Sequence, residues 1–234
     1  MEQIIFGRTG LKVSRTGFGG IPIQRISYDE STAILRKAYD NGINLYDTAN
    51  FYTTSEDKIG VALSDVRKNI VICTKSGAKD VETLTQHLEN SLTKLRTDYI
   101  DVFQFHLPPF VPKPAGEDGL YEAAQKAQRE GKIRYIGISC HNRLLGLEAA
   151  KSGLYDVLQF PFSHISSDEE MAVANVAEKN NVGVLGMKAL CGGLLTNAKA
   201  AFVFLRQYNK DSLSAGILYK SMTPALVVAA FKAV

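Results

Sequence analysis

Short runs of β-branched and aromatic residues alternate with amphipathic segments along the whole chain, and this alternation constrains the fold more than any other feature. The strand-like runs are Thr16–Ile21, Ile43–Asp47, Ile70–Lys75, Tyr99–His106, Ile133–Ser139, Val157–Pro161, Val182–Met187 and Leu213–Tyr219. Most are continuously apolar, as strands covered on both faces are. Between them lie segments with helical periodicity. Ser27 is a cap for a helix stopped at Gly42, and Asp80 is a cap for one that presents Val81, Leu84, Leu88, Leu92 and Leu95 on one face. Further helices are expected over Glu56–Leu63, Gly119–Glu130, Arg143–Lys151, Asp168–Asn180, Asn197–Tyr208 and Thr223–Val234. Strict β/α alternation implies a parallel sheet, and this many units in 234 residues predict one (β/α)8 TIM barrel over 1–234. The opening QIIFGRTGLKVS has apolar residues on both sides of a turn signal and predicts an N-terminal β-hairpin ahead of the barrel.

Composition narrows the function classes. A formal net charge of +3 with no run of like charge argues against nucleic acid or a membrane surface as partner. The cysteines Cys73, Cys140 and Cys191 are far apart in sequence, so neither a disulfide framework nor a metal site is expected, and each reads as a small buried hydrophobe. The start of the chain has no apolar leader, and no apolar run reaches membrane-spanning length, so a cytoplasmic location is expected.

In a TIM barrel the chemistry sits at the C-terminal ends of the strands. Here the second barrel strand ends in Asp47, with Tyr52 in the loop beyond it. The third ends in Lys75, the fourth in His106 and the fifth in Ser139, and the sixth carries Gln159. Each residue also has a structural reading: Asp47 as a cap, Lys75 snorkelling to the rim, His106 as a satisfied core histidine and Tyr52 as a loop residue. Their conjunction at successive strand ends points to chemistry. A phenol of pKa ~10 becomes a usable acid when an ammonium stabilises its phenolate. A carboxylate keeps the ammonium charged, and an imidazole holds a carbonyl oxygen or relays a proton.

At these residues the chain resembles the aldo-keto reductases, in particular their compact bacterial and archaeal branch. The resemblance lies in YDTANFYTTSEDKIG (46–60), VICTKSG (71–77), SLTKLRTDYIDVFQFH (91–106) and EGKIRYIGIS (130–139). It implies a catalytic tetrad of Tyr52, Lys75, Asp47 and His106, and an oxidoreductase that reduces an aldehyde or ketone with a nicotinamide cofactor, NADP(H) ahead of NAD(H). It also implies cofactor contacts at Gly20, Ser139, Gln159, Met187 and Lys188. KSMTPALVVAAFK (220–232) is similar to the family's adenosine-phosphate segment, which adds Lys220, Ser221 and Thr223. The chain departs from the pattern at Leu226, where the family has an arginine, and at Ala229 and Ala230, where it has a Glu-Asn pair. It also departs at Cys140, where an asparagine is usual, and at Met187, where an aromatic often stacks on the nicotinamide. The expected partner is a small-molecule carbonyl substrate. Two other readings fit the sequence: a nicotinamide-binding regulatory or sensor subunit with little turnover, and a phosphate-binding barrel in which Lys75 forms a Schiff base.

Overall fold

A computed structural model describes residues 1–163, 165–190, 197–207 and 213–214. The chain folds as a (β/α)8 barrel preceded by a β-hairpin. Strands β1 (Gln3–Ile5) and β2 (Lys12–Ser14) pair antiparallel around the turn at Gly7–Thr9. Eight parallel strands follow in chain order: β3 (Phe18–Gly19), β4 (Leu45–Asp47), β5 (Val71–Ser76), β6 (Ile100–His106), β7 (Ile133–Ser139), β8 (Val157–Pro161), β9 (Gly183–Met187) and β10 (Leu213–Ser214). The described helices are α1 (Tyr28–Asp40), α2 (Ser55–Leu63), α3 (Val81–Leu95), α4 (Leu120–Arg129), α5 (Arg143–Ser152), α6 (Asp168–Lys179) and α7 (Ala198–Gln207).

The local signals act as expected. Ser27 closes a capping box with Glu30 at the start of α1, and Asp80 accepts from the Thr83 amide at the start of α3. Gly42 takes φ 85° just beyond α1, a backbone that suits glycine. The first barrel strand is shorter than predicted. It spans Phe18–Gly19 rather than Thr16–Ile21, because the chain turns into a 3-10 helix at Pro22–Arg25, where proline has no N–H to give a ladder. Of the eighth strand, predicted over Leu213–Tyr219, only Leu213–Ser214 is described. The last predicted helix, Thr223–Val234, lies outside the described residues.

The sheet has apolar cores on both sides. Val71, Cys73, Val102, Val157, Leu185 and Met187 fill the barrel interior with Leu45 and the hairpin's Phe6 and Val13. The outward faces of the strands, including Ile72, Phe103, Phe105 and Ile138, pack under the helices with Leu35, Leu88 and Ala124. At the strand N-termini, buried Asp101 of β6 accepts from Arg67 (2.8 Å), Arg134 (2.9 Å) and the Ile72 amide (2.9 Å). This network ties three strands together at the end of the barrel opposite the chemistry.

Candidate active site

The backbone assembles the site by carrying the sheet ladder into the loops. Gly20 donates its amide to the Asp47 carbonyl (2.7 Å), and Thr48 donates to Cys73 (2.8 Å). Asn50 donates to Lys75 (2.9 Å), Leu107 to Ser139 (2.8 Å), Cys140 to Gln159 (3.1 Å) and Phe162 to Met187 (2.9 Å). Each loop is thereby pinned to the neighbouring strand end as it leaves its own. Residues adjoining Tyr52, His106 and Met187 also hold left-handed backbone: Thr53 (φ 26°), Leu107 (φ 52°) and Lys188 (φ 61°). For non-glycine residues such conformations are costly and persist where the surrounding structure fixes them.

At the centre, Lys75 Nζ lies 2.7 Å from both Asp47 oxygens and 2.5 Å from the Thr48 carbonyl. Both side chains are only 1% exposed. The ammonium's three N–H bonds match three acceptors, so the buried cation is paired and saturated. This excludes a Lys75 that snorkels to the rim and an Asp47 that merely caps a strand. Asp47 also accepts from Gln159 Nε2 (3.1 Å) and Gln104 Nε2 (3.3 Å). Burial pushes its carboxyl pKa up, and the ammonium of Lys75 and the two carboxamides pull against that rise.

Above this pair stand Tyr52 and His106. Their rings meet edge-on, with centroids 5.9 Å apart and planes at 84°. Lys75 Nζ is 5.4 Å from the Tyr52 ring centroid. The His106 pKa is pushed down to about 4, first by burial and then by the positive charge of Lys75 and by neighbouring His141. At neutral pH the imidazole is therefore uncharged, and offers one N–H and one lone pair rather than a cation. The four residues of the sequence-derived tetrad come together.

Ser139, at the end of β7, and Gln159, within β8, are buried and paired in register, and Met187 lies at the end of the strand beyond. The Gln159 Oε1 is buried and accepts no hydrogen bond among the described residues. An orphaned acceptor beside a serine hydroxyl fits the carboxamide of a nicotinamide, which brings N–H donors. Lys188 is exposed at this edge. Gly20 has a packing reason of its own: a Cβ there would lie 2.4 Å from Ser55 Oγ and 3.0 Å from the Asp47 carbonyl. Lys220, Ser221 and Thr223, with Leu226, Ala229 and Ala230, lie outside the described residues, as does Cys191. Cys73 and Cys140 are buried free thiols, and burial pushes Cys140 up to about 12, so it packs rather than reacts.

Beside His106 is a cavity of about 190 Å³ whose walls include Ala78, Phe105, Leu107, Pro108 and Phe110. Sequence reasoning did not find it, nor the contact of Gln104 with Asp47, nor buried Glu56, which accepts from Thr74 Oγ1 at 2.6 Å. For Gln104 a signal existed. It lies two residues before His106, and strand alternation sends both to the same face. Among the described residues no cluster of His, Cys, Asp or Glu could hold a metal, and no helix is long and apolar enough to cross a membrane.

Fold and site together define a (β/α)8-barrel with a buried Lys–Asp pair beneath a tyrosine and a neutral histidine. The aldo/keto reductase family model matches residues 4–211, and the chain belongs to that family of NAD(P)H-dependent oxidoreductases. It is 33% identical over 226 residues to the uncharacterized oxidoreductase YrpG of Bacillus subtilis, covering 83% of this chain and 68% of that one. It is 30% identical over 215 residues to the L-galactose dehydrogenase of Arabidopsis thaliana, covering 84% and 67%. The chain thus spans about two thirds of the length of these curated relatives. A solved Pseudomonas aeruginosa structure assigned to the aldo-keto reductases superposes with a TM-score of 0.84 at 25% identity, covering 99% of this chain and 93% of that one.

Proposed function

We propose that the chain reduces an aldehyde or ketone to an alcohol, with Tyr52 as general acid and NADP(H), in preference to NAD(H), as cofactor. One observation carries the reading: Tyr52 and His106 meet edge-on directly over a saturated Lys75–Asp47 ion pair. Asp47 fixes the ammonium, and the ammonium's field favours the phenolate form of Tyr52, which makes the phenol a better proton donor. Neutral His106 directs an N–H at the carbonyl oxygen and orients it toward Tyr52. The proton passes from Tyr52 Oη to that oxygen as charge develops on it, and solvent restores the phenol. A bound nicotinamide supplies the hydride that reaches the carbonyl carbon. Ser139 and the unsatisfied Gln159 Oε1 would hold its carboxamide, with Met187 against the ring.

The cavity beside His106 supports a substrate with an apolar substituent. A dry apolar cavity of about 150 Å³ binds benzene, so one of about 190 Å³ accommodates a single ring or a short alkyl chain. The same reading takes residues 1–234 as one barrel domain in the cytoplasm, with this small carbonyl compound as its partner and no nucleic acid or membrane surface. The Schiff-base alternative loses support, because all three Lys75 N–H bonds are engaged.

The test is consumption of NADPH and NADH with aromatic and short aliphatic aldehydes. Turnover is expected with at least one nicotinamide, and aromatic aldehydes should be favoured over acetaldehyde-sized ones. Tight binding of a nicotinamide with no turnover of any carbonyl would favour the regulatory reading instead.

A further inference from the structure

We infer that Gln104 is a positioning residue, which keeps Asp47 ionised and correctly turned beneath Lys75. The inference rests on the carbonyl-reduction reading for what Asp47 and Lys75 do.

Gln104 is fully buried inside the barrel on β6, in register with Lys75 on one side and Gly137 on the other. The layer below it is apolar, with Val71, Cys73 and Val102. A glutamine is a costly choice beside such a layer, because both ends of its carboxamide need partners. Gln104 finds one for its nitrogen only: Nε2 donates to Asp47 Oδ1 at 3.3 Å, across the intervening strand. Its Oε1 is buried and accepts nothing among the described residues. The amide must face this way, since only its N–H end can meet a carboxylate. A side chain that leaves one polar atom unsatisfied to aim the other at a catalytic carboxylate is placed for that contact.

The neighbouring strand makes room for it. A Cβ at Gly137 would lie 2.8 Å from Gln104 Cγ and 3.1 Å from both Val102 Cγ1 and the Val157 carbonyl. The glycine therefore clears the space the glutamine stem occupies. Gln159 Nε2 contacts the other carboxylate oxygen at 3.1 Å, so each Asp47 oxygen receives one carboxamide N–H together with the Lys75 ammonium. The two amides fix the rotation of the carboxylate, and hence the position of the ammonium. If Gln159 turns toward a cofactor, Gln104 is the amide that stays with Asp47.

Among the described residues, the charged and titratable groups around Asp47 include the Lys75 ammonium and the Cys73 thiol, both on β5, and the Tyr52 phenol, which lies over Lys75 from the loop after β4. The carboxamides that contact it from β6 and β8 are neutral. Removing the Gln104 N–H therefore has one sign: it weakens the carboxylate form relative to the acid.

The test is an NMR titration of the Asp47 carboxyl carbon, assigned by its loss in Asp47→Asn, in wild type, Gln104→Met, Gly137→Ala and Val102→Ala. Gln104→Met keeps the volume and removes the donor. Its midpoint should rise by about one pH unit, the size expected for losing one hydrogen bond to a charged group. Gly137→Ala crowds Gln104 away from Asp47 and should shift the midpoint the same way, and it stands in if Gln104→Met fails to fold. Val102→Ala perturbs the apolar layer beneath Gln104 and should lower Tm with the midpoint unmoved. In turnover, the low-pH limb of kcat/KM should move up by the same amount in Gln104→Met, with KM for the nicotinamide unchanged. An Asp47 midpoint unchanged in both Gln104→Met and Gly137→Ala overturns the inference. A wild-type protein without reductase turnover overturns the functional reading instead, and leaves the titration result standing.

Discussion

Lys75 Nζ sits 2.7 Å from each carboxylate oxygen of Asp47, in a pocket where both side chains are 1% exposed. At that depth neither charge tolerates losing the other. Lys75→Met should destabilise the protein by about 3–5 kcal/mol, because it leaves an uncompensated buried carboxylate. The double variant Lys75→Met/Asp47→Asn should recover a substantial part of that loss. Urea denaturation of the three proteins checks this, and a double variant that is less stable than Lys75→Met would contradict it.

His106 gives a pH prediction with a definite sign. Its folded pKa is pushed down to about 4, below the 6.5 of an ordinary imidazole. The unfolded chain therefore binds the proton first, and the cost of keeping the folded imidazole neutral begins below pH ~6.5 and saturates below pH ~4. Stability should thus fall across this window as pH drops. The effect should reach about 3 kcal/mol relative to His106→Gln, which lacks the titrating group. Parallel denaturation curves for the two proteins between pH 7 and 4 would show the cause to lie elsewhere.

Asp101 tests the separation of stability from chemistry. It binds Arg67 and Arg134 at the end of the barrel remote from Tyr52. Asp101→Ala strands a buried arginine and should cost about 3–5 kcal/mol. The kcat/KM of the folded fraction should stay within about twofold of wild type, because the strand N-terminal face serves stability.

Gly20 separates two roles. The resemblance makes it a cofactor contact, whereas the packing against Ser55 makes it structural without any ligand. Gly20→Ala should lower the stability of the cofactor-free protein by about 1–3 kcal/mol, the usual range for overpacking. Unchanged stability with weakened nicotinamide binding would assign it to the cofactor alone.

Much of this architecture is legible in the sequence, and the part that is not has a common physical cause. The alternating pattern, the Ser27 and Asp80 caps and the Gly42 stop are local signals, and local backbone chemistry decides them. Asp47, Lys75 and His106 are legible because they stand at or one residue from the ends of their strands within motifs. The grip on Asp47 is not, because Gln104 and Gln159 lie 57 and 112 residues from it and meet it only through barrel register. The neutrality of His106 depends on burial and on charges from other strands, which no local window contains. The first strand is overcalled because its apolar run continues past Gly19 while Pro22 ends the ladder.

The central claim is that Tyr52 gives the proton. The most direct measurement is kcat/KM for carbonyl reduction in wild type and Tyr52→Phe, with nicotinamide affinity measured calorimetrically in both. The account predicts a loss of about 10²–10⁴-fold in kcat/KM with nicotinamide affinity within about threefold, since the phenylalanine keeps the ring against His106 and removes only the acid. Turnover by Tyr52→Phe equal to that of wild type would contradict it.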